Sequence, residues 1–143
     1  MKVGMEFDEL NAFLDRVSPA LLRLVGTSFR DGSPQVVPVW YRWDGKEIRI
    51  WTHEKRDWVR NLSRDSRVAF VVAEPQPPFA AVVMYGRVEI TTTDDEATAL
   101  EIRRISRRYL PKAEVEDYAG SWPDLRTIVR IRPDSINSWA RGY

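Results

Sequence analysis

Within ten residues, the segment Thr52-His-Glu-Lys-Arg-Asp-Trp-Val-Arg-Asn61 gathers a hydroxyl, an ammonium, two guanidiniums and an amide. Together these groups suit the gripping of an anion. Thr52 can donate a hydroxyl hydrogen bond, Lys55 places a point charge, Arg56 presents a bidentate fork, and Asn61 offers an amide. The segment reads as the end of a strand leading into a helix, where unpaired backbone N–H groups and the helix dipole favour negative charge. Trp58 stands in the middle of it, either stacked on a ligand ring or packed on a core. By residue type alone the run fits a solvated helix face as well as it fits a phosphate grip.

Other chemistry is limited by what the chain lacks. There is no cysteine, which excludes disulfides, thiolate catalysis and Cys-based metal sites, and the single histidine, His53, excludes a His-cluster metal centre. Neither a Gly-x-Ser-x-Gly elbow nor a Gly-rich phosphate loop occurs. The acidic pairs Asp94-Asp95 and Glu116-Asp117 read as a helix start and a loop. No catalytic residue and no metal ligand is assigned. If the chain is an enzyme, a bound cofactor carries the hard step and the protein positions it.

The elements that must position this segment follow from patterning. With 143 residues the chain suits a single domain over 1–143, large enough to bury a core. Its net charge of +1 supplies no strong field toward nucleic acid or an acidic membrane surface. Nothing approaches a membrane span, and MKVGMEFDEL lacks the apolar core of a signal peptide, so the expectation is a cytoplasmic protein that binds neither membrane nor nucleic acid. Phe7, Leu10, Leu14 and Val17 predict an N-terminal helix ending before Ser18-Pro19. A strand at 20–28 follows, and then QVVPVWYRWDGKEIRIWT, two strand-like runs joined by Asp44-Gly45.

A two-residue turn there would set Tyr41 opposite Ile48, Arg42 opposite Glu47, Trp40 opposite Arg49 and Val37 opposite Thr52. Val37, Val39, Tyr41, Ile48, Ile50 and Thr52 then share the interior face. Pro38, Trp40, Arg42, Glu47, Arg49 and Trp51 share the other, which is too apolar to be left wet and needs a cover. A short helix over 54–64, a strand at 67–73, a Pro-rich loop and a long strand with a bulge at Gly86 come next. A capping box at Thr93–Glu96 opens a helix whose acids precede Arg103, Arg104, Arg107 and Arg108, an order that matches the helix dipole rather than a nucleic-acid surface. After a variable loop, 126–133 forms the last strand. Antiparallel hairpins without regular βαβ alternation give a mainly β (α+β) fold, a small barrel of about six strands with helical additions.

The succession PQVVPVWYRWDG, IRIWT, KRDWVRNLSRDSRV, MYGRVEI, an acid-to-basic helix and RIRPDSI resembles the pyridoxamine 5′-phosphate oxidase-like split barrels over roughly residues 5–140. Within that group it is more similar to small flavin- or deazaflavin-dependent reductases than to true pyridoxamine phosphate oxidases. The resemblance implies a six-stranded antiparallel split β-barrel with flanking helices, forming a homodimer with two interface sites for FMN or the deazaflavin coenzyme F-420. Val37, Pro38 and Val39 would lie along the ring system, partly through backbone groups, with Trp51 and Thr52 beside the ring and its ribityl chain. Arg56 and Asn61 would meet the phosphate with Lys55 nearby. Trp139 would approach from the partner chain.

The implied activity is hydride transfer to a small conjugated substrate, with a proton from solvent or from a tyrosine such as Tyr41. The chain departs from the family where a Lys usually precedes this Asn by three residues and an Arg stands before that Lys. Here those positions are Trp58 and Asp57, so pyridoxamine phosphate oxidation itself is not expected. A non-catalytic dimer carrying flavin or haem-type molecules, and a barrel that has lost its ligand, remain the alternatives.

Overall fold

The computed structural model describes residues 4–121 and 125–142. Helix α1 (Phe7–Asp15) buries Leu10, Phe13 and Leu14, whereas Phe7 and Val17 of the expected stripe are exposed. Strands β1 (Leu22–Ser28), β2 (Pro34–Pro38), β3 (Tyr41–Trp43) and β4 (Ile48–Thr52) follow, then α2 (Asp57–Arg64) and β5 (Arg67–Ala73). The long strand β6 (Ala81–Thr93) leads to α3 (Glu96–Ser106), α4 (Lys112–Gly120) and β7 (Arg126–Trp139). The fold is mainly β, with four helices and one antiparallel sheet ordered β2-β1-β5-β6-β7-β4-β3.

The sheet has seven strands rather than six, because the run 34–43 does not pair as one strand. Its first half, β2, pairs with β1 (Val25 opposite Val37), and its second half, β3, pairs with β4. Only Val39 and Trp40 separate β2 from β3, yet these strands are the two ends of the sheet order. The sheet therefore curls until its ends meet through the chain, and no ladder closes the gap. A register shift at Tyr85/Gly86, with Asp134 as the extra residue of β7, marks where the long β6–β7 ribbon bends. Before the bend β6 pairs with β5, and β7 residues 127–131 pair with β4. Gly86 is required there, since a Cβ would lie 2.1 Å from the Arg132 carbonyl oxygen.

The hairpin register differs from the expected one by two residues, with Tyr41 opposite Ile50 and Trp43 opposite Ile48. The Asp44 carboxylate accepts from the Lys46 and Glu47 amides at 2.9 and 2.8 Å, and Gly45 takes φ 93°. That side-chain turn makes a four-residue loop in place of the two-residue one. A shift of two preserves which face each side chain occupies, so the interior assignment of Tyr41, Ile48 and Ile50 holds. The expected Arg42–Glu47 pair does not form; Arg42 instead forks onto Glu101 of α3. The helix cap also moves, from Thr93 to Asp95, whose carboxylate accepts from the Thr98 amide at 2.8 Å.

Inside the curl, Val25, Val68, Phe70, Val72, Val82, Met84, Val129 and Ile131 form the core, capped by α1 and by Trp58, Val59 and Leu62 of α2. The aromatic outer face is covered by the chain itself. Trp51 and Ile128 pack against Ile102 and Ile105 of α3, while Trp40, Tyr109 and Tyr118 close the rim. Helix α4, which supplies Tyr118, lies where a variable loop was expected. No helix among the described residues is long and apolar enough to cross a membrane.

Candidate functional site

At the gap between the two sheet ends lies a cleft of about 540 Å³, in the range of small-molecule sites. Gln35, Val37, Pro38 and Val39 form one side, and Trp51, Thr52 and His53 continue β4 along another. Arg56, Asp57 and Trp58 come from the start of α2, and Trp40 and Tyr118 complete the wall. Seven of the ten residues expected at the site therefore meet: Val37, Pro38, Val39, Trp51, Thr52, Arg56 and Trp58. Lys55 is exposed and outside the cleft wall. Trp139 pairs opposite Ala81, at the far end of β7 from the Thr127 that faces Thr52, so it cannot reach the cleft of its own chain.

The local sequence explains these placements. Arg56 caps α2 without a side-chain capping bond, and Asp57 opens the first turn. The helix then buries Trp58, Val59 and Leu62, so Trp58 answers both questions its position raised. It is 6% exposed within the barrel core, and one edge forms part of the cleft wall. Burial of that position on the apolar side of α2 accounts for the indole there.

Asn61 does not face an anion. It is buried, and its Nδ2 donates to Thr27 Oγ1 at 3.1 Å and to Gln35 Oε1 at 3.0 Å. Both amide protons are committed, and Asn61 is not among the residues that line the cleft. Its effect on the cleft is indirect: because Gln35 accepts through Oε1, its Nε2 remains a donor on the cleft wall. The β2 backbone also offers less than expected. The Val39 amide donates to the Arg23 carbonyl at 3.3 Å, and antiparallel alternation turns Val37 the same way. Pro38 has no N–H, so this segment presents carbonyl oxygen and apolar surface to a ligand.

Trp40, His53, Tyr118 and Gln35 were not among the expected site residues. Trp40 was legible as an apolar residue on a face that needed covering, and Pro111 before KAEVEDYAG was the signal for α4 and hence Tyr118. The rings form a connected set. Trp51 meets Tyr118 edge-on at 5.8 Å and His53 at 5.9 Å, and Trp40 tilts against Tyr118 at 5.5 Å. Burial lowers the His53 pKa from its ordinary value, and the Arg56 charge lowers it further. Burial raises the Tyr118 pKa, against the opposing effects of Arg56 and of a hydrogen bond from Trp51. Tyr41 is outside the site: its hydroxyl donates to the Leu14 carbonyl at 2.6 Å in the barrel interior.

An aromatic slot with one guanidinium at its mouth fits a planar heterocycle carrying a single anionic group. The fit to phosphate rests on Arg56 alone, with the Asp57 carboxylate beside it. Among the described residues no His, Cys, Asp and Glu group could hold a metal ion.

Comparison with known proteins agrees with this geometry. A conserved hypothetical protein of Mycobacterium tuberculosis is 26% identical, with TM-score 0.77 over 96% of this chain and 86% of that one. An F-420 reductase is 28% identical, with TM-score 0.66 over 89% of this chain and 94% of that one. The haem storage protein HutZ of Vibrio cholerae shares the fold at 14% identity, with TM-score 0.73 over 96% of this chain and 98% of that one. No curated protein matches. The family model described as pyridoxamine 5′-phosphate oxidase matches residues 8–140, nearly the whole curled sheet and every wall of the cleft, and the chain belongs to that family.

Proposed function

We propose that this chain is an oxidoreductase that binds the deazaflavin coenzyme F-420, or FMN, in the cleft and passes a hydride to a small conjugated substrate. The observation that carries this reading is the aromatic slot opening onto Arg56. The 28% identity to an F-420 reductase supports the deazaflavin, as does a phosphate grip reduced to one arginine. When bound, the cofactor supplies the hydride chemistry.

The chain's own residues bind, orient and shield. Arg56 would hold the phosphate, Thr52 and the Gln35 amide would donate to the polar chain, and Val37–Val39 would support the ring. Trp40, Trp51 and Trp58 exclude water from the slot. The Tyr118 hydroxyl accepts from the Trp51 indole, and burial raises its pKa, so it stays protonated at neutral pH on the cleft wall.

The reading includes a homodimer. By register, Pro38, Leu24, Val71 and Val83 form one row on the outside of the sheet, and Val36, Gly26, Ala69 and Tyr85 form the next. Leu22, Val36 and Tyr85 are exposed. This apolar face adjoins the cleft at Pro38, and a second copy covering it would enclose the site. Trp139 lies in the adjoining row with Leu22, Ala73 and Ala81, which is how a partner chain's Trp139 would approach the ligand. A second reading, a non-catalytic carrier of flavin or haem-type molecules, is favoured by His53, the chain's one imidazole, on the cleft wall.

The test is parallel fluorescence titration with FMN and F-420, on the native protein and on Arg56→Ala. Saturable binding of one cofactor, weakened about tenfold or more by the substitution, supports the assignment. Binding without turnover by any reductant supports the carrier reading. Binding of neither removes the oxidoreductase reading, and with it the role of Arg56.

A further inference from the structure

Behind Trp40 lies a second cavity, of about 290 Å³, which shares only that residue with the cleft. Three guanidiniums line it: Arg16 at the end of α1, Arg23 of β1 and Arg108 beyond α3. Each is fixed by its outer nitrogens. Arg16 Nη1 donates to Glu74 Oε1 at 2.9 Å, and Arg23 Nη1 to the Leu21 carbonyl at 2.9 Å. Arg108 donates to the Asp15 and Leu14 carbonyls at 3.3 and 3.2 Å. Two aromatic faces hold the planes in place, with Arg23 4.4 Å over the Tyr109 ring and Arg108 4.9 Å over Tyr41.

All three arginines leave Nε buried without a hydrogen-bond partner. Glu74 is the one carboxylate engaged, on Arg16; among the described residues neither Arg23 nor Arg108 meets one. Three cations gathered around a partly buried space, with one counter-charge and three unsatisfied donors, constitute an uncompensated arrangement. A guanidinium matches the spacing of two oxygens on a carboxylate or phosphate, and Arg16 and Arg23 are each bonded through Nη1, not Nη2.

We propose that this cavity is a binding site for a compact oxyanion carrying more than one negative charge, a dicarboxylate or a phosphate, held by Arg16, Arg23 and Arg108. Its volume suits a small metabolite rather than a nucleotide. The site rests on none of the cleft's chemistry, and either assignment can fail without the other.

Thermal unfolding and calorimetric titration at fixed ionic strength test the site, with inorganic phosphate and malonate as probes. The expected result is a saturable rise in Tm with at least one probe. Arg16→Gln and Arg23→Gln should each weaken binding by about tenfold or more, while Arg56→Ala leaves it unchanged. Circular dichroism shows that the variants fold, and Arg108 is left intact because it also ties down the end of α1. Saturation by phosphate alone identifies a phosphoryl ligand, and by malonate alone a carboxylate. No saturation by either probe into the millimolar range overturns the proposal. So does binding lost with Arg56→Ala, or kept at native strength in both glutamine variants.

Discussion

Arg42 forks onto Glu101, with Nε 3.0 Å from Oε1 and Nη2 2.8 Å from Oε2, and this pair ties the edge strand β3 to α3. The carboxylate side chain is 8% exposed, and Arg49 approaches it at 3.7 Å from the neighbouring strand. Because α3 carries the residues that pack under Trp51, the pair also fixes one wall of the cleft.

Arg42→Met keeps the apolar stem and removes the charge, leaving a buried carboxylate with only the distant Arg49. The expected loss is about 2–4 kcal/mol, read from urea unfolding midpoints at constant m. A loss below about 1 kcal/mol would show that Arg49 takes over the neutralisation.

His53 gives the cleft a pH dependence. Its folded pKa lies below the ordinary value, first from burial and then from Arg56, so the imidazole is neutral at pH 7 and above. The unfolded chain then takes up its proton first as pH falls. The contribution to stability is complete above about pH 6.5 and is lost as pH drops through the folded value. An anion bound beside His53 favours the charged form, so affinity for an anionic cofactor should tighten as pH is lowered from 8 toward 5.5, by about tenfold per unit at most. His53→Gln should flatten that slope while leaving affinity at pH 8 within about threefold. An unchanged slope in the variant would show that the dependence does not arise at His53.

Gly86 allows β6 and β7 to approach at their bend, where any Cβ would meet the Arg132 carbonyl oxygen at 2.1 Å and Pro133 Cα at 2.9 Å. Both atoms belong to the backbone of the strand paired with Gly86, so the clash has no easy relief. Gly86→Ala should cost about 3 kcal/mol or more, seen as a large drop in Tm. Gly120→Ala, where a Cβ meets nothing within 4 Å, should be close to neutral and serves as the control.

Much of this architecture was legible in the chain. Alternating apolar residues located the strands, and the face of Tyr41, Ile48 and Ile50 survived a register error because the error was an even number of residues. The register itself was hidden, since it depends on the Asp44 carboxylate capturing two amides and not on the Asp-Gly pair alone. The division of 34–43 into two strands was hidden too: local pattern cannot report that Val39 and Trp40 bridge opposite ends of a sheet. For the site, residue type led to Arg56 and Thr52, which line the cleft, and to Asn61, whose amide bonds to Thr27 and Gln35 instead of lining it. An amide suits a phosphate and an internal network equally, and only the packing of α2 against β1 decides between them. Tyr118 was missed because its helix is short and weakly patterned.

The missing ladder between β2 and β3 also has a mechanical meaning. Gln35, Val37 and Pro38 belong to one end of the sheet, Trp51 and Thr52 to the strand beside the other, and the cleft spans the opening between them. A flat molecule lodged there would work as a clasp, joining by stacking what the backbone leaves unjoined. Occupancy would then stiffen the curl as a whole, and the tightness of the grip would depend on how readily the unclasped sheet breathes.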